Sequence, residues 1–213
     1  MNQIQNNKNI QALIPVFGII AFASLYFIAS LYYPGGSQAD KNAEGFSWIN
    51  NYWCNLLNEN AINGKPNTAR PFALTGMIIL CLSLCYFWFT FSKLAPLKKY
   101  LSISIRVAGI LAMLFSFLLL TSFHDAGVNI SSVLGLIATI GVCIGLYKLE
   151  RYKLLAAGAI VFLLVALDNY FYHAKGMIVY LPVIQEISFA FFLGWVCCIC
   201  CSQYKHQYTM RRH

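Results

Sequence analysis

Long uninterrupted apolar runs dominate the chain, and polar residues fall between them rather than alternating within them. Six runs approach the roughly 20 residues that a helix needs to cross a bilayer: Ile10–Tyr33, Phe72–Phe91, Leu101–Ser122, Val133–Leu146, Leu154–Leu167 and Leu181–Cys201. The fourth and fifth are short when only apolar residues are counted. With their flanks, Ile130–Tyr147 and Tyr152–Phe171, they reach spanning length. Backbone amides find no partner in lipid, so each run is expected to be helical, and continuous rather than alternating apolarity excludes a β-barrel. The pattern predicts an all-α, polytopic membrane helical bundle with six transmembrane helices. All of residues 1–213 form one integral membrane domain, and residues 34–69 are an extracytoplasmic loop capping the bundle. Ile10–Tyr33 is read as a retained helix because it exceeds the usual apolar core of a signal peptide.

Composition agrees with the pattern. Mean hydropathy is +0.63, and charged residues make up only 10% of the chain, against about a quarter in soluble proteins. Lys8, Lys93, Lys98, Lys99, Lys148, Arg151, Lys153, Lys205, Arg211 and Arg212 collect on one side of the expected bundle. The positive-inside rule makes that side and both termini cytoplasmic. Arg106, one turn into the third run, can snorkel to the same side. The net charge of +8 is thereby a topology signal, and no nucleic-acid partner is expected. Membrane lipids are the expected partners, and a bacterial inner membrane is the expected location. Of eight cysteines, only Cys54 is expected outside, which argues against a disulfide framework. Cys81, Cys85 and Cys143 read as small apolar helix residues, and packing is also the reading for Cys197, Cys198, Cys200 and Cys201.

One stretch breaks the apolar pattern. From Asn50 to Pro71 the chain reads NNYWCNLLNENAINGKPNTARP, with seven Asn among its 22 residues. Pro34-Gly35-Gly36 should stop the first helix, and Asn67 or Thr68 should cap the second. The aromatic-rich stretch between them suits a short interfacial helix over Ser47–Asn58, followed by a turn at Asn63-Gly64. The remaining outer connections are placed at His124–Asn129 and Tyr172–Tyr180. Gly135, Ala138, Gly141 and Gly145 share a face of the fourth helix, and Ala156–Ala159 in the fifth is the expected partner surface.

Ionisable groups in membrane helices point most directly to a site. His124, Asp125, Asp168, His173 and Glu186 all fall at the expected outer ends. His124, Asp168 and His173 are the candidate metal ligands, with zinc as the candidate ion and bound-water activation as its chemistry. Asp168 and His173 are five apart, about 140° on an ideal helix, whereas Asn169 and His173 share a face. Asn51, Trp53, Asn55, Glu59, Arg70, Asp125 and Glu186 are the candidate ligand contacts, and no catalytic residue is assigned.

With its polar loop, WINNYWCNLLNENAINGKPNTARP, leading into the second helix, the chain resembles bacterial six-helix membrane proteins of the DRAM/Frag type, a group of unknown function. It is more distantly similar to the CREST superfamily of alkaline ceramidases and progestin/adiponectin-type receptors. That second likeness implies a zinc site for lipid-amide cleavage, to which only Ser122, His124, Asp168 and His173 could correspond. The superfamily's closing pair of His four residues apart is missing here. Three readings stand open: a protein binding a lipid or small molecule at an outer-facing polar pocket, a zinc-dependent membrane hydrolase of lipid amides or esters, and an ion- or proton-coupled transporter. No internal repeat of the transporter kind is present.

Overall fold

A computed structural model describes residues 11–121, 123–174 and 177–209. Its long elements are six helices: α1 (Ile14–Leu31), α2 (Arg70–Leu94), α3 (Lys99–Phe115), α4 (His124–Lys148), α5 (Tyr152–His173) and α6 (Leu181–Thr209). Short 3-10 turns occupy Trp53–Leu57, Ser116–Leu120 and Ile178–Tyr180. Extended pairing among the described residues amounts to an isolated bridge between Asn60 and Pro66.

All six helices are long and apolar enough to cross a membrane. The protein encloses between 11% of the spanning window, in α5, and 44%, in α2. Large side chains therefore point outward, among them Leu163 at 70% exposure and Phe17 and Val133 at 59% each. Water would oppose so much exposed apolar surface, whereas lipid tails accept it without penalty. The chain is thus built as an integral membrane protein.

Two compact units divide the packing. The first comprises the chain up to Ile20, Ile79–Gly158 and the chain from Gly194, and so contains α3 and α4 whole. Glycines set the helix spacing in this unit. A Cβ on Gly141 would lie 2.2 Å from Ile105 Cγ1, and one on Gly145 would lie 2.8 Å from Phe91 Cε1. Ala138 on the same face is fully buried. The small-residue face of α4 therefore receives bulky knobs from α3 and the end of α2, and not the Ala156–Ala159 surface expected from the sequence. Gly158 in that surface instead accommodates Cys143 and Trp195, and Trp195 Nε1 donates to Leu154 O at 2.8 Å. Small residues here pair with large ones, which fills volume better than small against small. Among the described residues, nothing approaches a Cβ added at Gly135 within 4 Å.

The start of α4 also departs from expectation. His124 and Asp125 do not lie in a connection; they form the first turn of the helix, and Asp125 supplies negative charge where the backbone dipole favours it. All eight cysteines are free, with Cys200 buried and Cys198 and Cys201 exposed. Consecutive positions around α6 point these thiols in different directions.

The second unit consists of Ala21–Ile78 and Ala159–Leu193, and contains the loop between α1 and α2. Asparagines hold that loop together. Asn51 is fully buried; its Nδ2 donates to Gly36 O at 2.9 Å, and its Oδ1 accepts the Ser47 N–H at 2.9 Å. Asn63 Nδ2 reaches Pro34 O at 2.9 Å. Asn67 Nδ2 lies 2.9–3.2 Å from the carbonyls of Asn55, Leu56 and Asn58, while its Oδ1 accepts the Ala69 N–H. Asn67 thereby fills the capping role ahead of α2, and Thr68 instead donates its hydroxyl to Tyr32 O at 2.6 Å.

The interfacial helix expected over Ser47–Asn58 shrinks to the single 3-10 turn at Trp53–Leu57. Asn51 Oδ1 takes the Ser47 amide and Asn55 Oδ1 takes the Tyr52 amide. These side chains compete with helical hydrogen bonding, as Asn commonly does. The expected turn at Asn63-Gly64 is present, with Gly64 at φ +82°. Tyr33, which is buried, accepts the Ile62 N–H at its phenol oxygen. Burial holds its phenol above the ordinary value, and that hydrogen bond acts in the opposite direction.

Candidate functional site

Aromatic rings form the centre of the second unit. Trp53 packs against Phe22, Tyr26, Trp48 and Phe189, with ring centroids 5.3–6.4 Å apart. Phe22 and Tyr26 are buried in α1, one turn apart, so both rings meet the loop from the same face. Phe189 lies three residues after Glu186 in α6, which places the carboxylate on the same side as the ring that touches Trp53.

Among the described residues, two pairs of polar atoms in this unit lack hydrogen-bond partners. The Trp53 indole N–H and the Glu186 carboxyl are close enough to influence each other. Neither Trp53 Nε1 nor Glu186 Oε1, however, makes a hydrogen bond of proper geometry with any described residue, and both atoms are buried. Asp168 and Ser188 repeat the arrangement between α5 and α6. The hydroxyl adjoins the carboxyl, yet Asp168 Oδ1 and Ser188 Oγ are buried and unpaired. Glu186 and Ser188 are two residues apart, so their side chains leave α6 in directions about 160° apart. Each acid therefore has its own surroundings.

The other loop candidates are committed to local structure. Asn51 and Asn55 accept backbone amides as described above, and Arg70 Nε donates to Leu57 O at 3.1 Å. Arg70 also pairs with Glu59 at 3.3 Å, where the carboxylate is 78% exposed. An ion pair so exposed contributes little. Cys54 is half-buried, and burial raises its thiol above the ordinary value, which makes it a poor nucleophile.

Of the three metal candidates, His124 lies in the first unit, where its Nδ1 is 3.1 Å from Asp125 Oδ1. That neighbour is almost fully exposed, as suits a helix-end pair. Asp168 sits in the second unit beside Ser188, and the side chain of His173 lies outside the described residues. No three His, Cys, Asp or Glu side chains come together among the described residues.

Reading the sequence by its charged groups missed Ser188. Its signal was a small polar residue inside the apolar run of α6, two positions from a carboxylate. The proximity of Trp53 to Glu186 was equally hidden, because 132 intervening residues separate them in sequence. Comparison with family models, curated proteins and solved structures gives no match.

Proposed function

We propose that this protein binds a small molecule or a lipid headgroup beneath the loop between α1 and α2, with Trp53 and Glu186 as its polar anchors. The observation that carries this reading is that Trp53 Nε1 and Glu186 Oε1, on neighbouring side chains, are both buried without a hydrogen-bond partner among the described residues. An indole N–H can only donate, and the Glu186 carboxyl, in its ionised form, can only accept. A single group that accepts from one and donates to the other must be amphoteric, which describes a hydroxyl. An ammonium would leave the indole unpaired, and a phosphate would meet the carboxylate's charge. Surrounding rings supply apolar contact to the carbon skeleton, as is usual where a few polar groups orient a ligand in a mostly apolar site.

Mass spectrometry of the protein purified in mild detergent tests the reading. The wild type is expected to carry a hydroxyl-bearing lipid or small molecule. Glu186→Gln and Trp53→Phe are each expected to lower its occupancy about tenfold, the worth of one hydrogen bond to a charged group. Ligand-free wild type, or undiminished carriage in both variants, overturns it.

A second reading, ion- or proton-coupled carriage, draws on the other pair. Asp168 stands beside Ser188 within a membrane helix, and such a carboxyl is costly unless it exchanges a proton or cation. In proton-loaded vesicles, Asp168→Asn is expected to abolish coupled flux. Equal flux in wild type and variant eliminates this reading.

A further inference from the structure

A second charged cluster lies in the first unit, remote in sequence from the loop. Lys93, at the end of α2, places Nζ 3.8 Å from the centroid of the Phe89 ring. Arg106, two turns into α3, places Cζ 4.9 Å from the same centroid. The guanidinium is held in position: Nε donates to Ser92 Oγ at 3.2 Å, and Ser92 O in turn accepts the Ser102 hydroxyl. With Nε engaged, the two Nη groups keep their donors for another acceptor. Among the described residues, no carboxylate pairs with either cation.

Two cations gathered about one ring repel each other, and each gains only modestly from the ring. The arrangement calls for an anion. Its place in the chain narrows the choice. Lys93 and Arg106 flank the connection between α2 and α3, where a spanning segment ends and headgroups replace hydrocarbon. Phe89 is 38% exposed, and Leu82, seven residues earlier on the same face of α2, is 67% exposed. An apolar strip thus runs away from the two charges along the helix. Phosphate at one end and a hydrocarbon chain along the other match a phospholipid.

We infer that Lys93 and Arg106, arranged about Phe89, form a binding site for an anionic phospholipid, with its phosphate on the two cations and an acyl chain along Leu82. Arginine's planar fork suits phosphate oxygens, and the flexible lysine adds a second charge. This inference is independent of the ligand proposed beneath the loop.

The test uses the full chain in phosphatidylcholine nanodiscs, titrated with phosphatidylglycerol and followed by native mass spectrometry. Wild type is expected to prefer phosphatidylglycerol over phosphatidylcholine at least tenfold. Lys93→Gln combined with Arg106→Gln is expected to remove that preference. Arg106→Lys should weaken it severalfold while leaving the charge unchanged, and this milder variant carries the test if the double variant does not fold. Lys98→Gln with Lys99→Gln is the control for diffuse basic attraction and should retain most of the preference. Equal loss in that control, or an unchanged preference in the folded Lys93/Arg106 variant, overturns the assignment. So does displacement of the lipid by millimolar inorganic phosphate, which would mark a site for soluble anions.

Discussion

Replacing Gly109 with alanine is expected to destabilise the protein by about 3 kcal/mol, the upper part of the range for overpacking a filled core. The added Cβ would lie 2.3 Å from Trp88 Cγ and 2.5 Å from Cδ2. Trp88 cannot retreat easily, because it is only 1% exposed and packs against Phe87 with ring centroids 5.0 Å apart. In a thermal unfolding series in detergent, this corresponds to a midpoint lowered by roughly 6–12 °C. Gly135→Ala serves as the internal control. Its Cβ meets no described residue, so the same substitution should be neutral or stabilising by up to about 1 kcal/mol through helix propensity. Shrinking the ring should also rescue the first variant: Gly109→Ala with Trp88→Leu should be more stable than additivity of the two single changes allows. Equal effects at Gly109 and Gly135 would show that the α2–α3 approach does not depend on the missing side chain.

Asn67→Ala is the second large effect, and it should appear in the loop before it appears in the helices. Removing the amide leaves the carbonyls of Asn55, Leu56 and Asn58 without that donor and takes the Oδ1 acceptor from the Ala69 N–H. Unsatisfied buried groups cost about 1–3 kcal/mol each when no water reaches them. A loss of about 3 kcal/mol is expected, with water recovering part of the penalty as the loop loosens. Limited proteolysis should cut within residues 50–66 at least tenfold faster than in wild type. Asn67→Asp should be no better than alanine: it keeps the acceptor but turns an anionic oxygen toward three carbonyl oxygens. Unchanged cleavage in both variants would mean that the other asparagines hold the loop by themselves.

Six spans could be read directly, because lipid imposes one structural solution on a long apolar run. The loop was visible as an exception, but its architecture was not. Seven asparagines announce hydrogen bonding without saying to what, and Asn51, Asn55, Asn63 and Asn67 bond to backbone that periodicity cannot locate. At His124-Asp125 the same polarity that suggested a connection instead opens a helix, because charge at a helix N-terminus resembles loop composition. The glycine face of α4 was recognised correctly as a packing surface at Ala138, Gly141 and Gly145, but not at Gly135. Its partner was not, since complementarity lay with Ile105 and Phe91 rather than with other small residues. Of the candidate site, Trp53 and Glu186 were each singled out from the sequence. What joined them was tertiary packing through Phe189, which leaves no local trace.

The composition of the two packing units has a consequence for assembly. Neither unit is continuous along the chain: α1, α2, α5 and α6 are each divided between the two, α1 between Ile20 and Ala21 and α6 between Leu193 and Gly194. During synthesis, helices enter the membrane one after another and only then associate. Trp53 is made early, yet Phe189 and Glu186 emerge only with the final helix. The aromatic centre therefore stays open until α6 is inserted, and that one step completes both units.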